Sequence, residues 1–172
     1  GTRLWNREAL YGEIAERGDA VRRGKGRGFG LVLADVSRFR EWNDAKGRVA
    51  GDRVLLRGAR ALLDASRPND FVARYGGDEY AVVVGDVDAE SLPALAGRLR
   101  EAVGAALAEE TEGFLTGAAV GTELFEAARH RTPEDLLREA DRALWEAREA
   151  ERASLPGRIV RQTPSGKWAL RL

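Results

Sequence analysis

Two β-prone runs, Phe71 to Tyr75 and Tyr80 to Val84, flank the short string Gly76-Gly77-Asp78-Glu79. Runs of this kind around a glycine pair read as a hairpin whose tight turn uses the positive φ angles open to glycine. Two acids therefore sit beside the turn. A third, Asp35, comes near the end of another strand candidate, Phe29 to Val36, whose nearly continuous apolar run suits burial on both faces. Acids in both places repel one another unless a divalent cation offsets the charge. The chain has no cysteine and one histidine, His130, so the donors on offer are oxygens. Oxygen donors select a hard ion such as magnesium, with manganese as the alternative. A hairpin turn with solvated acids explains the same string without any ligand.

Composition narrows the function classes. No cysteine means no disulfide, thiolate zinc site or thiol nucleophile, and one histidine leaves a histidine metal site or a Ser-His-Asp relay hard to build. Lys plus Arg equals Asp plus Glu at 28 each, so no global field draws the chain to nucleic acid or anionic lipid. No apolar run approaches the roughly 18 residues that span a bilayer, and the start does not read as a signal peptide. The expectation is a soluble cytoplasmic protein, with Gly1 a residue left from expression, that binds neither nucleic acid nor membrane.

Periodicity organises the rest. Asn6 caps a helix reaching Val21, and a basic glycine-rich stretch from Arg22 to Gly28 breaks it. A short helix spans Ser37 to Ala45 and stops around Gly47. Gly51-Asp52 opens the next, with Val54, Leu55, Ala59, Leu62 and Leu63 on its apolar face. After a turn at Pro68-Asn69-Asp70 and the hairpin come a helix from Asp88 to about Leu107, a strand over Phe114 to Thr122, and a helix from Pro133 to Arg152 capped by Thr132. The tail, Arg158 to Leu172, reads as a hairpin turning at Pro164-Ser165-Gly166. The order β-α-α-β-β-α-β-α describes one α/β (α+β) domain.

These residues also carry a resemblance. Arg74-Tyr75-Gly76-Gly77-Asp78-Glu79-Tyr80 resembles the signature of the GGDEF family, the diguanylate cyclase domains, with tyrosine for the final phenylalanine. Asp35 to Asp44 is similar to the family's D-x-D-x-F-K-x-x-N-D, Gly47 to Asp52 to its G-H-x-x-G-D, Ala140 to Arg148 to its A-D-x-A-L-Y-x-A-K, and Leu4 to Arg7 to its L-x-N-R. The resemblance covers residues 2 to 152 and leaves 153–172 as a C-terminal extension. It implies a nucleotide-cyclase or polymerase-palm fold, with a mostly antiparallel sheet flanked by helices. It also implies condensation of two GTP into cyclic di-GMP with release of two pyrophosphates, at the interface of a homodimer. By the same resemblance Asp35, the Val36 carbonyl, Asp78 and Glu79 hold magnesium, and Asp78 or Glu79 takes the proton of the ribose 3′-hydroxyl. Asn43 and Asp52 read guanine, with Phe39, Gly76 and Gly77 against the nucleotide. Arg40, Arg148 and Arg152 contact phosphates. Arg67 and Asp70 form an R-x-x-D site that binds product and inhibits, helped by Arg98.

Plainer readings stand beside these roles. Asn43 suits a helix C-cap and Asp52 an N-cap, the arginines suit i,i+4 pairs, and Arg67 to Asp70 suits a turn. The chain departs from the family pattern at Ser37, which replaces the second aspartate of D-x-D, at Arg48 for histidine, at Arg3 for glycine, and in the loose strand Leu115 to Gly121. Those departures keep two rival functions in view: a degenerate receptor that binds GTP or cyclic di-GMP without turnover, and a dimerisation module indifferent to nucleotide.

Overall fold

A computed structural model describes residues 4–154 and the strands 159–162 and 168–171. Its elements are α1 (Arg7–Arg22), β1 (Phe29–Val36), α2 (Phe39–Lys46), α3 (Arg48–Ala65), β2 (Phe71–Arg74), β3 (Glu79–Gly85), α4 (Ser91–Glu110), β4 (Ala118–Leu124), α5 (Pro133–Ser154), β5 (Ile159–Gln162) and β6 (Trp168–Arg171). Four strands form an antiparallel sheet in the order β2-β3-β1-β4. β5 and β6 pair antiparallel as a separate two-stranded sheet, as the tail pattern predicts, while the turn expected at Pro164 to Gly166 lies outside the described residues, as does Arg3.

The period of two along each strand divides the core. Val32, Ala34 and Val36 of β1, with Tyr80, Val82 and Val84 of β3, face a layer built from α3 and α4 through Val54, Leu55, Leu62, Leu95, Leu99 and Val103. The alternate residues Phe29, Leu31, Leu33, Ala81 and Val83 face α1 and α5 through Leu10, Ile14, Leu136, Leu137, Ala140 and Leu144. Burial on both faces explains why β1 reads as an unbroken apolar run although it pairs antiparallel with both its neighbours. On the second face α5 lies against β4 at Gly121. A Cβ there would come within 2.6 Å of both the Ala140 carbonyl oxygen and the Leu144 Cα, so only glycine admits the helix this close.

Element boundaries shift in four places: α2 begins at Phe39 and not at Ser37, because Arg38 takes a left-handed conformation (φ 63°) that a helix cannot include. α3 begins at Arg48, before the expected Gly51-Asp52, with Gly47 (φ 88°) between the helices. α4 begins at Ser91, because the Asp88 carboxylate accepts from the N–H groups of Glu90 and Ser91 and stands outside as a cap. The apolar stretch from Phe114 to Gly117, expected in a strand, is a loop. There the buried Thr111 hydroxyl accepts the Leu115 N–H at 2.8 Å, and β4 starts only at Ala118.

Candidate active site

The β2–β3 hairpin forms, but without the glycine geometry the sequence suggests. Neither Gly76 nor Gly77 has positive φ among the positions that do. The turn is a wider loop, in which the N–H groups of Tyr75 and Gly76 both donate to the Glu79 carbonyl, at 2.9 and 3.2 Å. Glycine serves another purpose at Gly76, where a Cβ would sit 2.9 Å from Glu79 Oε2 and push the carboxylate aside. At Gly77 a Cβ would meet nothing within 4 Å, so this backbone faces open space.

Register brings the acids together. Asp35 pairs with Glu79 across β1 and β3, and the Val36 N–H donates to the Asp78 carbonyl at 3.4 Å. Like charges opposite one another in a sheet repel. Arg148, from α5, lies between them: its guanidinium pairs with Asp35 Oδ2 and with Glu79 Oε1, the latter at 2.7 Å. Asp35 Oδ1 and Arg148 Nε are both buried without a partner. Burial, then the nearby charge of Asp78, raise the Asp35 carboxyl to about 7 despite the opposing pull of Arg148, and the Glu79 charge adds to the rise. Burial and the hydrogen bond to Glu79 act in opposite directions on Arg148, whose pKa is raised on balance.

A donor set of carboxylates around an orphaned, buried oxygen is the chemistry a hard divalent ion requires. Among the described residues, however, no three acids already stand in the arrangement of an ion's ligands. Arg148 holds the lone pairs such an ion would use.

The other expected residues fall into two groups. Asn43 packs on α3: at Gly51 a Cβ would collide with the Asn43 amide oxygen, and Asp52, the next residue, is exposed. Neither residue is a cap, since Gly47 ends α2 and precedes α3. Asp52 lines a cleft of about 480 Å³ with Leu4, Leu55, Leu56, Ala59, Arg74 and Tyr80. Phe39 is half-buried against Gly51. Arg40 is almost fully exposed and Arg152 mostly so, and they make the helical pairs expected of surface arginines, with Asp44 at 4.0 Å and Glu149 at 2.7 Å.

Arg67 and Asp70 lie at the opposite tip of β3. The buried Asp70 carboxylate accepts the Arg67 N–H at 2.8 Å, the Gly85 N–H at 3.3 Å and the Arg67 guanidinium at 3.3 Å, while the same guanidinium donates to the Gly85 carbonyl at 2.5 Å. Arg67 and Asp70 thus close a turn, and the outer edge of Arg67 stays exposed. Arg98 is exposed on α4 and makes no ion pair among the described residues.

Several contacts were not legible as site features. Tyr80, in place of the motif's phenylalanine, puts its buried hydroxyl 2.5 Å from the Leu55 carbonyl of α3, in the space left by Gly58. The Tyr75 hydroxyl donates to Asp141 at 3.2 Å and ties the hairpin loop to α5. His130, the lone histidine, is buried below β4 with Nδ1 accepting the Glu126 N–H.

The family described as diguanylate cyclase, GGDEF domain, matches residues 1–154. An uncharacterized signaling protein of Caulobacter vibrioides is 36% identical over 153 residues, covering 88% of this chain and 19% of that protein. Diguanylate cyclase DgcP of Pseudomonas aeruginosa is 34% identical over 155 residues, 90% of this chain and 23% of that one. The chain thus spans about a fifth of each of these curated relatives. The crystal structure of a sensory box/GGDEF family protein from Caulobacter crescentus superposes with a TM-score of 0.73 at 34% identity, covering 86% of this chain and 94% of that one. Matched over residues 1–154 by that family's model, this chain belongs to the GGDEF domain family of diguanylate cyclases.

Proposed function

We propose that the chain is an active diguanylate cyclase domain, residues 1–152, followed by an extension, 153–172, and that it works in the cytoplasm as a homodimer with one GTP on each copy. The observation that carries this reading is the convergence of Asp35, Asp78 and Glu79 at one end of the sheet, which neither a receptor nor a scaffold requires. Magnesium, or manganese, bound to Asp35, the Val36 carbonyl, Asp78 and Glu79 would supply charge neutralisation at the α-phosphate and acidify the attacking hydroxyl.

The chain's own groups do the rest. The carboxylate of Asp78 or Glu79 takes the proton of the ribose 3′-hydroxyl, whose oxygen forms the new bond to the partner nucleotide's α-phosphorus as the bond to pyrophosphate breaks. Two such transfers close the ring. Arg148 gives up Asp35 and Glu79 and turns its fork to the triphosphate, with exposed Arg40 and Arg152 free to join it. Asn43 and Asp52 pair with the guanine edge, Asp52 accepting from its N–H donors. Phe39 packs beside the base, and the open space at Gly77 lets backbone approach the nucleotide. Product inhibition would act through Arg67 with Arg98; Asp70, already satisfied, would serve by holding Arg67 in place.

Incubating the purified chain with GTP and magnesium tests the reading. Cyclic di-GMP and two equivalents of pyrophosphate are expected. Binding of GTP without product identifies the receptor alternative, and indifference to nucleotide refutes both.

A further inference from the structure

The β1–α2 junction meets α5 at two levels. At the first, Asp35 pairs with Arg148. At the second, just past the end of β1 and three residues along α5 from Arg148, the Ser37 hydroxyl lies 2.9 Å from Glu151 Oε2 and 3.2 Å from Oε1. Ser37 is itself held, its N–H donating to the Gly117 carbonyl at 3.1 Å. Two residues of extended chain span at most about 6.6 Å and three of helix rise about 4.5 Å, so the contacts form two rungs between the end of β1 and one helix. A single rung leaves a helix free to turn about it. Two rungs fix both its position along the strand and its rotation.

Glu151 is otherwise badly placed. It lies in the last turn of α5, where the carbonyl end of the helix dipole repels a carboxylate. Its exposed position gives it no packing role. Both carboxylate oxygens engage a hydroxyl at the one position where the D-x-D pattern loses its second acid. The carboxylate that Ser37 lacks is thus delivered from the helix.

We propose that Ser37 and Glu151 form a positioning pair that sets the rotation of the last turns of α5, and through it the approach of Arg148, and of Arg152 beyond it, to the nucleotide phosphates. Neither residue touches the reacting atoms. Their effect falls on how well the arginines are pre-oriented, so it belongs in the affinity for the magnesium complex of GTP and not in the chemical step. This inference rests on the cyclase reading for its kinetic readout but not for its structural one.

The test is a residue exchange on the 172-residue chain. Ser37→Glu and Glu151→Ser are made singly and together; the double variant swaps the two side chains and keeps their combined reach. Each single variant is expected to raise KM for magnesium-GTP about three- to tenfold with kcat within about twofold, because a charge-assisted hydrogen bond is lost or two carboxylates oppose. Hydrogen exchange of the amides from Arg148 to Ser154 is expected to speed up in the single variants, and the swap to restore both readouts to within about twofold of the starting protein. Unchanged KM and exchange in the single variants, or a swap no better than the sum of its parts, overturns the proposal. If the starting protein makes no cyclic dinucleotide, the cyclase reading fails separately, and hydrogen exchange with binding of 3′-deoxy-GTP still decides whether the pair positions the helix.

Discussion

Strand β3 meets an arginine-bound carboxylate at each tip, and the two tips treat the charge in opposite ways. At the Gly85 end, Asp70 is 2% exposed and fully occupied by two backbone N–H groups and the Arg67 guanidinium. At the Glu79 end, Asp35 is 14% exposed, keeps one oxygen unpaired, and depends on a single guanidinium from another element. Backbone donors cannot leave, whereas a side chain can. The first tip is built to hold a turn, and the second keeps acids in a state that costs stability until something else binds them.

Substitutions should separate the tips, the largest effect coming at the acids themselves. Asp78→Ala or Glu79→Ala is expected to lower cyclic di-GMP formation by on the order of 10³-fold or more with the far-ultraviolet circular dichroism unchanged, since each removes charge from the carboxylate set and none from the core. Turnover within tenfold of the parent in either variant would place the metal elsewhere. Asp70→Ala should do the reverse. It leaves the Gly85 N–H and the Arg67 guanidinium without their acceptor, and is expected to cost about 2–3 kcal/mol in urea unfolding with the residual activity of the folded fraction retained.

The last test is a pH slope. Because Asp35 is raised from 3.8 to about 7 on folding, the folded state holds its proton more tightly than the unfolded chain. Stability from this group is therefore complete below about pH 4 and is lost as pH rises through about 7. Unfolding of the metal-free parent and of Asp35→Asn, followed from pH 4.5 to 7.5, should show the variant gaining on the parent across that window. Parallel curves would mean that Arg148 neutralises Asp35 fully.

Local pattern made much of this visible. The buried strands declared themselves by unbroken apolar runs, the hairpin by its flanking aromatic and β-branched residues, and the acids by motif spacing. What stayed hidden depends on partners distant in sequence. Nothing near Arg148 marks it as the bridge between Asp35 and Glu79, and Ser37 looked like a simple loss until Glu151, 114 positions away, supplied the carboxylate. Turn chemistry misled for a different reason. Gly76-Gly77 has the composition of a tight turn, but neither has positive φ, and the room at Gly76 is taken by the Glu79 side chain, so the need for glycine at Gly76 is steric and not conformational. Phe114 and Leu115 looked like strand because they are apolar, yet their burial comes from closing the loop after α4.

The contact between Gly121 and α5 makes the helix a lever. Its fulcrum lies at Ala140 and Leu144, whereas Arg148 is about 6 Å and Glu151 about 10 Å farther along the axis. A methyl group added at residue 121 would tilt the helix at the fulcrum and displace the far arm by more than the wedge itself. On the cyclase reading, activity is then graded by the bulk of one residue in β4 outside the acid cluster, which gives mutation a dimmer as well as an off switch.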